Sequence, residues 1–297
     1  MSALEVRAKS VDEVAAVMRD ASAAGNKKGV RIRGGGSWME AGGPVDASLT
    51  LDLGALGGVH EYTPDDLTIS VGAAMTLGEL DEVTRAHGQW CPLLAWGDDN
   101  GTVGATVATG TAGPAAAALG RPRDLVIGLE CVDGAGRTLR AGGRVVKNVA
   151  GFDLTRLMTG QWGTLAAITA VNLRLRARPV VDESFTLRSA ERDEAVAEFA
   201  RGPYAPLGCV RVAAGEWLVR FGGNRAFVDE ATRRLRELGE CTATGEGAWH
   251  AARRDKRLAP APRLERWKWD DLSMRLKNRF DPAGVLNPGL LGGRVGS

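Results

Sequence analysis

Apolar residues at Val11, Val14, Ala15, Val17, Met18 and Ala21 recur at helical spacing, which predicts an amphipathic helix over residues 11–24. Ser10 followed by Glu13 is a capping-box start, and Gly25 is its stop. Short apolar runs then predict strands at residues 30–33, 49–53 and 67–72. Thr76, with Glu79 three residues on, opens a second helix to about His87. Longer apolar runs at 125–132 and 166–175 predict two further strands. Asp133-Gly134 leads from the first of these into Thr138 and Leu139 by a hairpin-type turn. Arg178-Pro179 ends this part of the chain.

From Glu183 the pattern changes. A strand at 183–188, a helix at 190–201, strands at 207–213 and 216–221, a helix at 224–238 and a strand at 240–244 follow in that order. Ala214-Gly215 is the turn between the middle strands. This β-α-β-β-α-β order is that of a ferredoxin-like unit and predicts a small second domain. Residues 269–280 read as a last helix, with Asp270 and Asp271 in its first turn and Lys277 and Arg279 in its last, in accord with the helix dipole. The stretch DPAGVLNPG breaks that helix.

Composition narrows the class. A chain of 297 residues with 44% hydrophobic and 25% charged residues suits a soluble protein of two domains. A net charge of +2 argues against nucleic acid as a partner. Cys91, Cys131, Cys209 and Cys241 are far apart, which excludes a local iron–sulfur or zinc-ribbon motif and leaves a reducing, cytoplasmic compartment as the expectation. The opening MSALEVRAKSVDEV lacks the apolar core of a signal peptide. No apolar run reaches the length of a transmembrane segment. His60, His87 and His250 stand apart and read as ordinary surface or helix residues, so no metal site is expected.

The 40 glycines change the picture most, because they cluster at predicted strand and helix ends, where backbone without a Cβ can approach a ligand. VRIRGGGSW, residues 30–38, can form an anion-binding nest or a plain turn. It does not fit GxGxxG, and no GxxxxGK[ST] occurs, so neither the dinucleotide fingerprint of the Rossmann fold nor a P-loop explains it. GDDNGTVGATVATGTAGP, residues 97–114, places small residues and hydroxyls along an extended ligand. GGRVVKNVAGFDLTRLMTGQWGTL, residues 142–165, combines Lys147 and Asn148 with Gly160, Gly163 and Thr164 before a strand. Lys147 is either a partner for phosphate or an electron-rich ring, or a surface lysine. Together the three clusters describe one long, dinucleotide-sized ligand held through backbone contacts.

The order RGGGS, GTVGATVATGTAGP, KNVAGFDLTRLMTGQWGTLAAIT and FDPAGVLNPG resembles the flavoproteins with a p-cresol methylhydroxylase (vanillyl-alcohol oxidase) type FAD domain, and among them the FAD-binding E-type subunits of bacterial glycolate oxidases. The likeness is good over residues 1–178, clear over 263–297 and faint between. It implies an α+β fold: a two-subdomain FAD-binding domain at 1–178 (about 1–54 and 55–178), a small ferredoxin-like cap domain at 179–262, and a C-terminal helix and tail at 263–297 that returns to the FAD domain. It implies that Gly34, Gly35, Gly36 and Ser37 hold the pyrophosphate. Gly101, Thr102 and Gly104 would run along the pyrophosphate, ribityl chain or ring, Gly163 and Ile168 would meet the adenosine end, and Lys147, Asn148 and Asp153 would lie near the flavin. Arg33, Trp38, Val103, Thr109 and Thr164, from the same stretches, complete the expected cofactor-binding set.

RGGGSW carries no histidine for a covalent link, so the FAD is expected to be noncovalent. The implied function is flavin-mediated hydride and electron transfer in a glycolate or 2-hydroxy-acid oxidase complex. The implied partners are a larger flavoprotein subunit, an iron–sulfur subunit and a small 2-hydroxy acid, bound here or on the sister subunit. The complex would be cytoplasmic, free or held at the inner membrane through partners. No catalytic residue is assigned. Arg253 and Arg254, after Trp249, are candidates to fork onto a substrate carboxylate or are helix surface. The alternatives are a non-catalytic electron-relay or assembly subunit, and another FAD-linked oxidoreductase such as an enolpyruvyl-sugar reductase.

Overall fold

A computed structural model describes residues 4–24, 29–93, 96–143, 153–189, 193–255, 258, 264 and 269–292. The chain opens with β1 (Leu4–Arg7), α1 (Val11–Ala23), β2 (Val30–Arg33) and β3 (Leu49–Asp52). The three strands form a parallel sheet in the order β1-β3-β2. The spacing that predicts α1 puts Val14, Ala15, Met18 and Ala21 into the core against Val30 and Leu51. Ser10 Oγ accepts the Glu13 N–H at 3.2 Å, while Glu13 reaches back to the N–H of Lys9 at 2.7 Å, one residue earlier than a capping box requires.

A second layer contains β4 (Val59–Thr63), β5 (Thr68–Gly72), α2 (Leu77–Arg85), β6 (Gln89–Trp90), α3 (Val103–Thr109), α4 (Ala116–Leu119), α5 (Pro122–Leu125), β7 (Val126–Asp133), β8 (Thr138–Gly142), α6 (Leu154–Met158), β9 (Ala166–Arg174) and β10 (Arg176–Ala177). Its main sheet is antiparallel, in the order β4-β5-β9-β7-β8, and β6 pairs with β10 apart from it. Six successive residues of β9 from Ala166 are buried, because both faces of the strand are covered: Val171 faces a core with Val103 and Val107 of α3, and Ala167 faces the core of α1. That double cover is why β9 reads as an unbroken apolar run rather than an alternation.

The third unit is β11 (Val181–Arg188), α7 (Asp193–Phe199), β12 (Gly208–Ala213), β13 (Glu216–Gly223), α8 (Arg225–Arg236), β14 (Glu240–Thr244) and α9 (Glu246–Arg254). The sheet order β12-β13-β11-β14, antiparallel throughout, is the ferredoxin-like topology predicted from the element order. Phe185, Leu187, Val219 and Phe221 face α7 and α8. On the other face α9 seats Trp249 over Gly208, where a Cβ would fall 2.1 Å from the indole. Arg220 is held by Asp182 at 2.7 Å and lies over the rings of Trp90 and Trp249 at 5.8 and 5.7 Å. This stack joins the small unit to the second layer.

The chain returns through α10 (Asp271–Phe280), capped by Asp270. Beyond it Val285 and Leu286 enter the core of the first sheet, and Leu286 bridges to Val30 in parallel. Asp281 anchors the turn: its carboxylate accepts the N–H groups of Val285 and Leu286 at 2.9 and 2.8 Å and the ammonium of Lys277 at 2.6 Å. Burial pulls the Lys277 pKa down, and Asp281 opposes that pull. The α+β fold and the return of the C-terminal helix agree with the sequence reading.

Candidate cofactor cleft

The first glycine cluster leaves the end of β2 as a bend. Gly36 has φ +83°, a region an L side chain enters only at a cost. The N–H groups of residues 34–38 donate to no other described residue. Clustered free donors of this kind suit an anion.

The second cluster contains a helix where the sequence reading assigned no element. Residues 103–109 form α3, capped by Thr102, whose Oγ1 accepts the Ala105 N–H at 3.3 Å, and closed by Gly110 at φ +63°. Its glycine and β-branched residues are poor helix formers. Tertiary packing of Val103 and Val107 decides instead. Thr102 explains Gly34, since a Cβ there would sit 2.9 Å from Thr102 Oγ1. Gly104 lies so close to Ala73 that a Cβ would fall 2.6 Å from the alanine methyl.

The third cluster turns at Trp162 (φ +57°) and Gly163 (φ +70°). The Trp162 N–H donates to Ala108 O at 2.7 Å, tying this bend to α3. Asn287, from the C-terminal stretch, ties it to the first bend. Its Nδ2 donates to Trp162 O and its Oδ1 accepts the Ile32 N–H, both at 2.9 Å. A Cβ on Gly163 would strike Asn287 Nδ2 at 2.4 Å.

All three bends line one open cleft. Gly34, Gly36, Ser37, Trp38, Thr102, Gly104, Thr109, Gly163 and Ile168 of the predicted set lie on it. Ala73, Ala74, Ala105 and Ala108 give it a wall of small side chains, and Trp38 and Trp162 meet edge to face at 5.8 Å. Among the described lining residues Arg31 has the one ionisable side chain.

Other predicted residues lie elsewhere. Arg33 is turned to Glu5 and Asp52, at 2.5 and 2.8 Å, and these bonds hold its pKa above the ordinary value. Burial works to raise the Asp52 carboxyl, but Arg33 and the Gly54 N–H outweigh it and leave the pKa lowered. Gly35 and Gly101 stand behind the lining. Val103 is core. Thr164 is buried under the third bend, with its carbonyl accepting from Lys277 at 2.7 Å. Asp153 caps α6 and pairs with Arg156 at 3.1 Å. Lys147 and Asn148 fall outside the described residues.

Arg253 is buried and bonded to Asp99 at 2.8 Å, so it is not presented to a substrate; Arg254 is exposed, 3.8 Å from Asp98. His250 is 3.2 Å from Asp99 rather than isolated. His87 stacks on Tyr62 at 5.0 Å. Among the described residues no cluster could hold a metal ion.

Sequence reasoning missed Trp162, Asn287 and Arg31. Asn287 appears in the sequence only as part of a helix-breaking NPG. Its φ of +42° and its two side-chain bonds become visible only when the tail is beside β2.

A parallel β-α-β layer beside an antiparallel sheet, with glycine bends converging on one cleft, suits a nucleotide-binding domain. The family described as FAD binding domain matches residues 2–142, and FAD is the cofactor that this match supports. Glycolate oxidase subunit GlcE of Escherichia coli (strain K12) is 36% identical over 178 residues, 59% of this chain and 50% of that protein. D-lactate dehydrogenase of Archaeoglobus fulgidus is 33% identical over 173 residues, 57% of this chain and 38% of that one. The chain therefore spans half or less of the length of these relatives. An alkyldihydroxyacetonephosphate synthase structure shares the fold at a TM-score of 0.67 and 17% identity, over 84% of this chain and 54% of that chain. No helix among the described residues is long and apolar enough to cross a membrane.

Proposed function

We propose that this chain is the FAD-binding subunit of a complex that oxidises glycolate or a related 2-hydroxy acid, and that it holds the FAD noncovalently. The observation that carries the reading is the convergence of three sequence-distant glycine bends on one cleft. Bound there, FAD would accept a hydride at its ring and release electrons one or two at a time. The protein's part is to bind and orient. The free N–H groups of residues 34–37 suit a pyrophosphate. Thr102 and Gly104 would run along it, and Gly163 and Ile168 would meet the adenosine end. The alanine wall would lie flat against a ring, and Arg31 would add positive charge. The flavin-binding unit would be residues 1–178, with 179–262 as a cap and 263–297 as its returning tail.

A sister flavoprotein subunit and an iron–sulfur subunit are the proposed partners. The commitment of Arg253 to Asp99 favours a second reading, in which the sister subunit binds the hydroxy acid and this chain relays electrons. The purified chain is expected to show an oxidised-flavin spectrum and to release the colour into the supernatant on acid precipitation. Colour retained in the pellet overturns noncovalent binding; no uptake of added FAD overturns the flavin reading. Rapid bleaching by glycolate, without partners, favours catalysis by this chain, and bleaching only with the sister subunit favours the relay.

A further inference from the structure

The loop before α3 is held from the small domain. Arg253, on the last turn of α9, is 3% exposed, and its Nη1 donates to Asp99 Oδ1 at 2.8 Å. Its own carbonyl accepts the Gly97 N–H at 2.8 Å. His250, one turn earlier, places Nδ1 3.2 Å from the other oxygen of Asp99. Trp96 packs into the cluster of Trp249 and Ala252. One face of α9 thus grips the segment from Trp96 to Asp99, as residues three and four apart on a helix can.

The far side of the same segment is fixed to the start of α2 and lies beside the first bend. Asp99 O accepts the Gly78 N–H and Gly101 O accepts the Leu77 N–H, both at 2.9 Å. Asn100 O lies 3.4 Å and Thr102 Cγ2 3.3 Å from where a Gly35 Cβ would be. The first bend therefore lies against the loop that contains Asp99.

We infer that Arg253 is a positioning residue for the cofactor cleft: it fixes Asp99 and, through it, the loop that supports the first glycine bend. This rests on the flavin reading. Without Asp99 the buried guanidinium loses a counter-charge, and without Arg253 the half-exposed Asp99 keeps His250 but loses its tie to the last turn of α9. The loop is then free to shift. Coupling between sites is reciprocal, so FAD would also steady α9.

The test is FAD titration of the full, flavin-stripped chain, followed by flavin fluorescence. Arg253→Met is expected to weaken FAD binding roughly tenfold, within the range for neighbours in one ion-pair network. Asp99→Asn should do the same, and the double variant should be no worse than either. Arg253→Lys should recover part of the loss. Two controls separate positioning from general loosening. Arg225→Met removes an exposed arginine of the small domain that pairs with Glu183 and Asp229, and Val196→Ala loosens the small domain's core far from Asp99; both should leave FAD affinity unchanged. Equal affinity in wild type and Arg253→Met, or additive losses in the double variant, overturns the inference while leaving the flavin reading intact. If Arg253→Met does not fold, Asp99→Asn alone decides: unchanged affinity overturns it and a tenfold loss supports it. A wild-type chain that takes up no FAD overturns both.

Discussion

At the scale of single residues, what shapes the cleft is mostly the absence of side chains. Gly36 and Gly104 are both required, for different reasons. At Gly36 there is space for a methyl but φ is +83°, so Gly36→Ala is expected to cost about 1–2 kcal/mol of strain, and Gly36→Asn less. At Gly104 the backbone is ordinary but Ala73 blocks the Cβ, so Gly104→Val should cost about 1–3 kcal/mol through overpacking and also weaken FAD binding. Urea unfolding beside FAD titration checks both. The cysteines give a second prediction. Burial pushes the Cys91 and Cys131 thiols up to about 12. A thiolate is the reactive form, so at mildly alkaline pH the native chain should leave these two unlabelled by iodoacetamide. Denaturant should expose all four. Rapid native labelling of either would contradict the packing.

At the scale of elements, α10 is held less by its own helix than by one buried pair at its end. Lys277 donates to Asp281, to Thr164 O and to Leu286 O, at 2.6, 2.7 and 3.2 Å. Asp281→Ala leaves that ammonium without its counter-charge and is expected to cost about 3–5 kcal/mol, seen as a fall in Tm. Lys277→Met combined with Asp281→Asn should cost less than the sum of the single changes, because neither charge remains unpaired. Elements with both caps and a periodic face were legible in the sequence: α1, α2, the ferredoxin-like unit and α10 lie where their patterns put them. β1 and β4 were not, because both are edge strands with mostly exposed residues and carry no alternation. Nor was α3, whose propensities oppose the helix that its packing imposes. The glycine side of the cleft could be read from clustering. Asn287 and the Asp99–Arg253 pair could not, because each joins segments more than a hundred residues apart.

At the scale of the whole molecule, the small domain is joined to the flavin domain by aromatic and guanidinium stacking and by the bonds of α9 to Gly97 and Asp99, rather than by a shared sheet. Gly208 lies behind that joint, against Trp249 within the small domain. Gly208→Ala drives a methyl into Trp249, so α9 must move. The expected outcome is a lower Tm together with weaker FAD binding, since α9 carries Arg253. A lower Tm with unchanged FAD affinity would mean that the two domains do not communicate through α9.

The parallel pairing of Leu286 with Val30 has a consequence in time. The first bend is fixed to a residue 255 positions further along the chain, so no nascent chain that stops short of Asn287 possesses a finished pocket. Loading with flavin is thereby deferred until Asn287 has been made. Stalled translation products ending near Phe280 should emerge colourless even in excess FAD, and should acquire the cofactor only after a peptide spanning residues 281–292 is supplied or elongation resumes.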